Sequence, residues 1–166
     1  MAQDTINNNL YVAGNLSCQT FSPPASCITD AAVAGNAAIA STKLTHRREI
    51  INADASATNG ASKQQTVHVI RGATGTLVAF EAGAVTPLGS GDTYTVDLYK
   101  NGSSILSGTI SLLSTDTART LKAAAGFTST SLVAGDWLEV KTTYSHSSGT
   151  APQGVTIRLT LDEAPQ

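Results

Sequence analysis

From Gln64 onward, hydrophobic and polar residues alternate along the chain. The clearest run is 93–100, in which Tyr94, Val96 and Leu98 share one face, and the longest is 154–162. Such a period of two predicts β-strands with one buried face. Asn101-Gly102 follows the first of these runs and predicts a hairpin turn, because both residues tolerate positive φ. Further strands are predicted at 66–71, 76–80, 105–112, 117–123 and 137–144.

About six to eight short alternating strands indicate an all-β protein with antiparallel sheets. A body of this kind is typical of a two-sheet sandwich, and both jelly-roll and immunoglobulin-like topologies fit it. Trp137 begins a strand, so it is predicted in the core or in an interface. The predicted core comprises Val67, Val69, Leu77, Tyr94, Val96, Leu98, Ile110, Leu112, Leu138, Val140, Ile157 and Leu159.

The first third of the chain has a different composition. Its apolar residues are sparse, and Pro23-Pro24 disfavours both helix and sheet. It is predicted to be too poor in apolar surface to fold alone, so it must pack on something else or stay disordered. The predicted organisation is an extended N-terminal arm at 1–50, a linker at 51–63 and a β-sandwich domain at 64–166.

Charge and hydropathy narrow the function classes. Charged residues make up 13% of the chain and the formal net charge is −2, which argues against a nucleic-acid partner because such proteins carry clustered basic residues. No apolar run is long enough for a transmembrane helix, so no membrane partner is expected. The start of the sequence lacks the features of a signal peptide, which predicts folding in a cytoplasm.

Candidate chemistry is limited. Cys18 and Cys27 are predicted to be reduced thiols, with a disulfide as the alternative. No Gly-x-Ser-x-Gly motif, glycosidase carboxylate pair or metal-ligand spacing is present, so no catalytic, cofactor-binding or metal-binding residue is predicted and the protein is not expected to be an enzyme. His68 is expected to face outward on its strand. The cluster from His46 to Glu49 fits an acidic partner surface, an inter-subunit salt bridge or a solvated patch.

Three stretches of the arm carry a resemblance to a known family: 9–16 (NLYVAGNL), 28–33 (ITDAAV) and 37–46 (AAIASTKLTH). In the body, 69–75, 96–102 and 132–140 carry it too. These segments resemble those of capsid decoration (cement) and head-fibre proteins of tailed bacteriophages. Fibre and spike segments share part of the pattern.

The resemblance implies a homotrimer that binds the major capsid protein on the outer surface of the virion and stabilises the head. It also implies that the protein is made in the cytoplasm of the host bacterium and has no enzymatic activity. The alternative is a receptor- or glycan-binding head of a fibre or spike, with its site on the loops 83–92 and 145–152. In the preferred interpretation the assembly and capsid-binding residues are Ile6, Leu10, Val12, Leu16, Phe21, Ile28, Val33, Ile39, Leu44, His46, Arg47 and Arg48.

Overall fold

The computed structural model describes residues 45–165, which form two antiparallel sheets of five strands each. The strands of each sheet alternate between inward apolar and outward polar residues, as the sequence pattern predicts. The first sheet contains β1 (His46–Ala53), β3 (Thr74–Gly83), β7 (Lys122–Ala123), β8 (Ser131–Val133) and β10 (Thr156–Glu163). The second contains β2 (Lys63–Val69), β4 (Thr93–Lys100), β5 (Ser103–Ser104), β6 (Ile110–Leu112) and β9 (Trp137–Ser145).

Strand pairing decides the topology of the sandwich. β1 pairs with β10 and β2 pairs with β9, so the outermost strands in sequence are partners. Inside them, β3 pairs with β7 and β8, and β4 pairs with β5 and β6. This nested pairing describes a long antiparallel hairpin rolled into two sheets, which is the jelly roll. The all-β sandwich prediction is confirmed, and the immunoglobulin-like alternative does not fit the pairing.

The core lies between the two sheets. Tyr94, Leu98 and Leu138 are fully buried, and aliphatic residues of both sheets pack around them. Each large side chain buried in this way stabilises the fold by about 1.5–3 kcal/mol. Ten of the predicted core residues lie in this cluster: Leu77, Tyr94, Val96, Leu98, Ile110, Leu112, Leu138, Val140, Ile157 and Leu159.

The hairpin turn at Asn101-Gly102 is confirmed. Asn101 has a φ of 50° and Gly102 a φ of 81°, and Lys100 pairs directly with Ser103 across the turn. Two consecutive residues with positive φ give a turn whose twist matches that of the flanking strands. The predicted partner strand at 105–112 is interrupted, because within residues 103–112 only β5 and β6 pair with β4, whose other edge pairs with β9. The predicted strand at 117–123 is reduced to β7.

A bulge in β2 changes which of its residues face the core. The register between β2 and β9 shifts between Thr66 and His68, so His68 lies opposite the fully buried Leu138. The prediction that His68 faces outward is therefore wrong. Val67 and Val69 are half-buried instead of being central core residues. The prediction assumed a regular strand. The bulge adds one residue, so the residues beyond it face the side opposite to the predicted one.

Trp137 lies opposite Val69 and on the face of β9 that points away from the core. Its side chain is 52% exposed, so its prediction as a core residue is wrong. Whether it lies in an interface with another molecule stays a prediction.

The sandwich begins earlier than the predicted boundary at residue 64. β1 is a full partner of β10 from His46, opposite Glu163, to Ala53, opposite Thr156. Residues 46–53 are thus an edge strand of the first sheet, although the sequence pattern assigned them to the arm and the linker. The cause is that β1 pairs with residues more than 100 positions away, and local composition carries no signal of that pairing.

Candidate functional site

The first structural feature of functional interest is the point where residues 1–44 join the sandwich. There, the basic residues at the start of β1 lie opposite the acidic residues at the end of β10. Arg47 donates two hydrogen bonds to Asp162, from Nε to Oδ1 (2.8 Å) and from Nη2 to Oδ2 (3.0 Å). This bidentate pair lies on the exposed face of the sheet. The hydrogen bond from Arg47 holds the pKa of the Asp162 carboxyl below its usual value.

Glu163 points the other way, between the sheets, and its carboxylate is only 2% exposed. Its Oε1 accepts hydrogen bonds from the backbone N–H groups of Arg71 (2.5 Å) and Gly72 (2.7 Å). Arg48 Nε lies 2.5 Å from Oε2, and His68 Nε2 lies 3.6 Å from the same oxygen. We call this group, which consists of Arg48, His68, Glu163 and the N–H groups of residues 71 and 72, the junction cluster.

The electrostatics of the junction cluster favour an ionised Glu163. Burial by itself raises the pKa of this carboxyl. The hydrogen bonds from Gly72 and Arg71 and the charge of Arg48 outweigh burial, so the pKa lies below its usual value. Gly72 is required there, because a Cβ on it would lie 2.0 Å from the carbonyl oxygen of Ala164. The cluster ties β1, β2 and β10 together at the entrance of the N-terminal segment.

The opposite end of the sandwich holds a second buried carboxylate. Asp92, just before β4, has a fully buried side chain. Its Oδ1 accepts hydrogen bonds from the backbone N–H groups of residues 147, 148 and 149 at 2.7, 3.0 and 2.9 Å. Its Oδ2 lies 2.6 Å from the Tyr144 hydroxyl and 3.0 Å from His146 Nδ1. We call Asp92, Tyr144, His146 and these N–H groups the loop cluster.

The loop cluster is built for positioning. Burial raises the pKa of Asp92, but the hydrogen bonds from Tyr144, Ser147, Gly149 and His146 outweigh it and bring the pKa well below its usual range. The hydrogen bond to Asp92 raises the pKa of Tyr144 to about 12, so this phenol stays protonated at neutral pH and is a poor nucleophile. Five donors occupy the carboxylate, which leaves little capacity for a substrate.

Two loops predicted as an alternative binding site, 83–92 and 145–152, are brought together by this cluster. The N–H of Gly89 donates to the carbonyl of Thr150 at 2.8 Å, and a Cβ on Gly149 would lie 2.6 Å from the carbonyl oxygen of Ser90. The close backbone approach explains the glycines in these loops. Trp137 and Tyr144 lie at opposite ends of β9, so they do not form a shared aromatic platform.

Of the predicted assembly residues, the structure describes three. His46, Arg47 and Arg48 all lie on β1, and Arg47 and Arg48 are paired within the chain. The other nine lie outside the described residues, as do Cys18 and Cys27: Ile6, Leu10, Val12, Leu16, Phe21, Ile28, Val33, Ile39 and Leu44.

The sequence analysis singles out neither the acidic partners Asp162 and Glu163 nor Asp92. The charges of Asp162 and Glu163 complement those of Arg47 and Arg48, but the two pairs lie more than 100 positions apart in the chain. The role of Asp92 carries no signal in the sequence, since its partners lie more than 50 positions away.

Within 45–165, no group of three or more His, Cys, Asp or Glu residues is placed to hold a metal ion. The same part of the chain contains no helix that is long and apolar enough to cross a membrane.

No protein-family model and no curated protein matches the chain. Among solved structures, one of Desmodium yellow mottle tymovirus is similar, with a TM-score of 0.32 and 10% identity over 99% of this chain and 96% of that chain. A TM-score of this size supports no argument, so the fold assignment rests on the strand pairing alone.

Proposed function

We propose that the protein is a homotrimeric decoration protein that binds the major capsid protein on the outer surface of a phage head and stabilises it, without enzymatic activity. The observation that carries the proposal is the junction cluster, which fixes the entrance of residues 1–44 to a jelly roll that has its own core. Those residues contain the stretches 9–16 and 28–33, which resemble decoration proteins.

The connection suits a segment that bears load. β1 follows residues 1–44 directly in the chain and is held by its whole ladder with β10, from His46 opposite Glu163 to Ala53 opposite Thr156. The ion pairs of Arg47 and Arg48 reinforce the N-terminal end of that ladder. A clamp between capsid subunits needs this property, because packaged DNA pushes the shell outward.

The pairing of Arg47 and Arg48 within the chain supports a capsid contact made by other residues. Since both guanidinium groups are engaged with carboxylates, their role is to fix the first strand. The apolar residues of the N-terminal segment then supply the contact with sibling subunits and capsid. Three such segments on one trimer bind by avidity, so a modest affinity of each is sufficient.

The test measures the oligomeric mass of the protein in solution and its binding to capsids. We expect the full chain to sediment as a trimer and to co-sediment with capsids that lack it, whereas a chain without residues 1–25 remains a folded β-protein and fails to bind. Arg119→Gly, which changes an exposed residue between β6 and β7, serves as the matched variant that retains binding. A monomeric full chain, or full occupancy by the truncated chain, would contradict the proposal.

The alternative, a receptor- or glycan-binding head, has one supporting observation. The loops 83–92 and 145–152 converge, and the loop cluster holds them rigidly. An aromatic platform would favour it further, but Trp137 and Tyr144 are separated by the length of β9. The jelly roll serves both capsid and lectin domains, so fold analogy does not separate the two functions. Glycan-array binding that is lost in Asp92→Ala would establish the alternative.

A further inference from the structure

The segment between β6 and β7 carries an unusual arginine. Arg119 is exposed, and in the described part of the chain its guanidinium makes no hydrogen bond or ion pair. By contrast, Arg47, Arg48 and Arg158 are each paired with a carboxylate. An unpaired guanidinium offers a rigid fork of donors that suits a carboxylate in a bidentate arrangement.

The backbone at Arg119 is held in a costly conformation. Its φ is 59°, in the left-handed region that residues with a Cβ disfavour. Its N–H donates to the carbonyl of Ala84 at 2.8 Å. The next residue, Thr120, brings its carbonyl so close to Gly83 that a Cβ there would lie 2.2 Å away. Backbone strain that the surrounding structure maintains is a feature of ligand-binding sites.

Arg119 lines a cavity of about 260 Å³, together with Ala84, Val85, Leu121 and the hydroxyl-bearing Thr120 and Thr156. A second cavity of about 260 Å³ shares Thr120 and Leu121 with the first. Its remaining lining is polar: Thr115, Asp116, Thr117 and Lys122. Each cavity lies just below the range of about 300–1,000 Å³ that is usual for drug-sized ligands, so each suits one small ring.

We propose that these two cavities bind an acidic saccharide, with one ring in each and the ring carboxylate on Arg119. Ala84, Val85 and Leu121 offer aliphatic surface to the C–H face of a sugar, while Thr120 and Thr156 offer hydroxyls to its hydroxyl groups. The assignment goes beyond capsid decoration and does not depend on trimer formation. It also uses a different surface from the loop 145–152.

The charges of the two cavities favour a carboxylate over a phosphate. Lys122 is already bound to Asp116, with Nζ 2.9 Å from Oδ1. Arg119 is therefore the one cation available for a ligand among the described lining residues, and Asp116 adds a negative charge to the second cavity. A doubly charged phosphate would be poorly neutralised there. An acidic peptide would pair with Arg119 but leave the hydroxyls of the second cavity unmatched.

The experiment titrates the full-length protein with an aldobiouronic acid, which is a disaccharide of one uronic acid and one neutral hexose, with the matching neutral disaccharide and with a short glutamate peptide, followed by amide NMR shifts and calorimetry. We expect the aldobiouronic acid to shift the amides of Arg119, Thr120, Leu121 and Thr156. We expect the neutral disaccharide to bind about tenfold or more weakly, since a hydrogen bond to a charged group is lost. Shifts elsewhere, equal binding of the neutral sugar, or tighter binding of the peptide would each overturn the proposal.

Arg119→Gly is the informative variant, because glycine accepts the positive φ and the fold is retained. We expect it to lose about tenfold or more in affinity for the aldobiouronic acid. The matched control is Lys141→Gln, which removes a cation that lies over the Tyr99 ring on the second sheet. The control should bind as the unmodified protein does. Unchanged affinity in Arg119→Gly, or an equal loss in Lys141→Gln, would overturn the assignment.

Discussion

Each end of the sandwich contains a buried carboxylate, and the two carboxylates are stabilised by different partners. Each end buries a carboxylate that accepts hydrogen bonds from consecutive backbone N–H groups: Glu163 from residues 71 and 72, and Asp92 from residues 147 to 149. A buried charge is costly unless it is paired and hydrogen-bonded. At the junction cluster two backbone N–H groups and the charge of Arg48 compensate burial, whereas at the loop cluster five hydrogen-bond donors do.

The difference separates a connection between strands from a connection between loops. Glu163 joins β10 to β1 and β2, so its loss affects elements that are part of the core sheets. Asp92 joins two surface loops, so its loss affects backbone that lies outside the sheets. We therefore expect global destabilisation from damage to the junction cluster and local opening from damage to the loop cluster.

The largest expected effect comes from Glu163→Ala. It leaves the N–H groups of Arg71 and Gly72 without their acceptor in a buried site and removes the partner of the half-exposed Arg48. At about 1–3 kcal/mol for each buried donor left unpaired, we expect a loss of about 2–6 kcal/mol in the free energy of unfolding. Urea denaturation followed by circular dichroism measures it. Asp162→Ala is the matched control, because it removes the neighbouring, exposed carboxylate and should have a much smaller effect. Equal losses of unfolding free energy in Glu163→Ala and Asp162→Ala would show that the burial of Glu163 contributes nothing to stability.

A more local effect is expected from Asp92→Ala. Without the carboxylate, the N–H groups of residues 147–149 lose their acceptor, so their hydrogen exchange should become much faster. The N–H groups of Arg71 and Gly72, at the other end of the molecule, should exchange as before. Amide exchange by NMR measures both sets in one sample. Faster exchange at Arg71 and Gly72 as well would show that the two clusters are coupled.

Acidification should weaken both ends in the same direction. The folded-state pKa values of Glu163 and Asp92 are lowered, so the unfolded chain binds more protons at acid pH. Their contribution to stability is fully present above the ordinary carboxyl pKa of about 4 and is lost as the pH falls through the lower, folded-state values.

Urea denaturation between neutral and acid pH measures that loss. We expect Glu163→Gln to be less stable than the unmodified protein at neutral pH and to lose less on acidification, because its amide does not titrate. Identical pH profiles in the two proteins would show that Glu163 does not couple folding to protons.

Much of the fold could be predicted from periodicity, because one face of most strands is buried. The runs 93–100 and 154–162 coincide with β4 and β10 to within a few residues. The turn at Asn101-Gly102 could be predicted from these two residues alone, because the requirement for positive φ is local. The features that escaped prediction depend on distant residues: β1 needs β10 as its partner, and the bulge in β2 is defined only by its pairing with β9.

The candidate sites were harder to predict for the same reason. His46, Arg47 and Arg48 stood out as a charge cluster, but their partners Asp162 and Glu163 lie at the other end of the chain. Arg119 falls within the predicted strand 117–123, and its sequence context shows neither its strained φ nor its cavity, because both depend on the contact with residues 83–85.

The smallest expected effect tests the outward face of the second sheet. Trp137 and Leu138 are neighbours on β9, but the first is 52% exposed and the second is fully buried. We expect Trp137→Ser to change the free energy of unfolding by no more than about 0.5 kcal/mol, and Leu138→Ala to lower it by about 2–5 kcal/mol. Both residues belong to β9, so a difference in stability between the two variants reports which way each side chain points. A loss in Trp137→Ser as large as that in Leu138→Ala would place Trp137 in a buried contact and would contradict the register that the β2 bulge imposes.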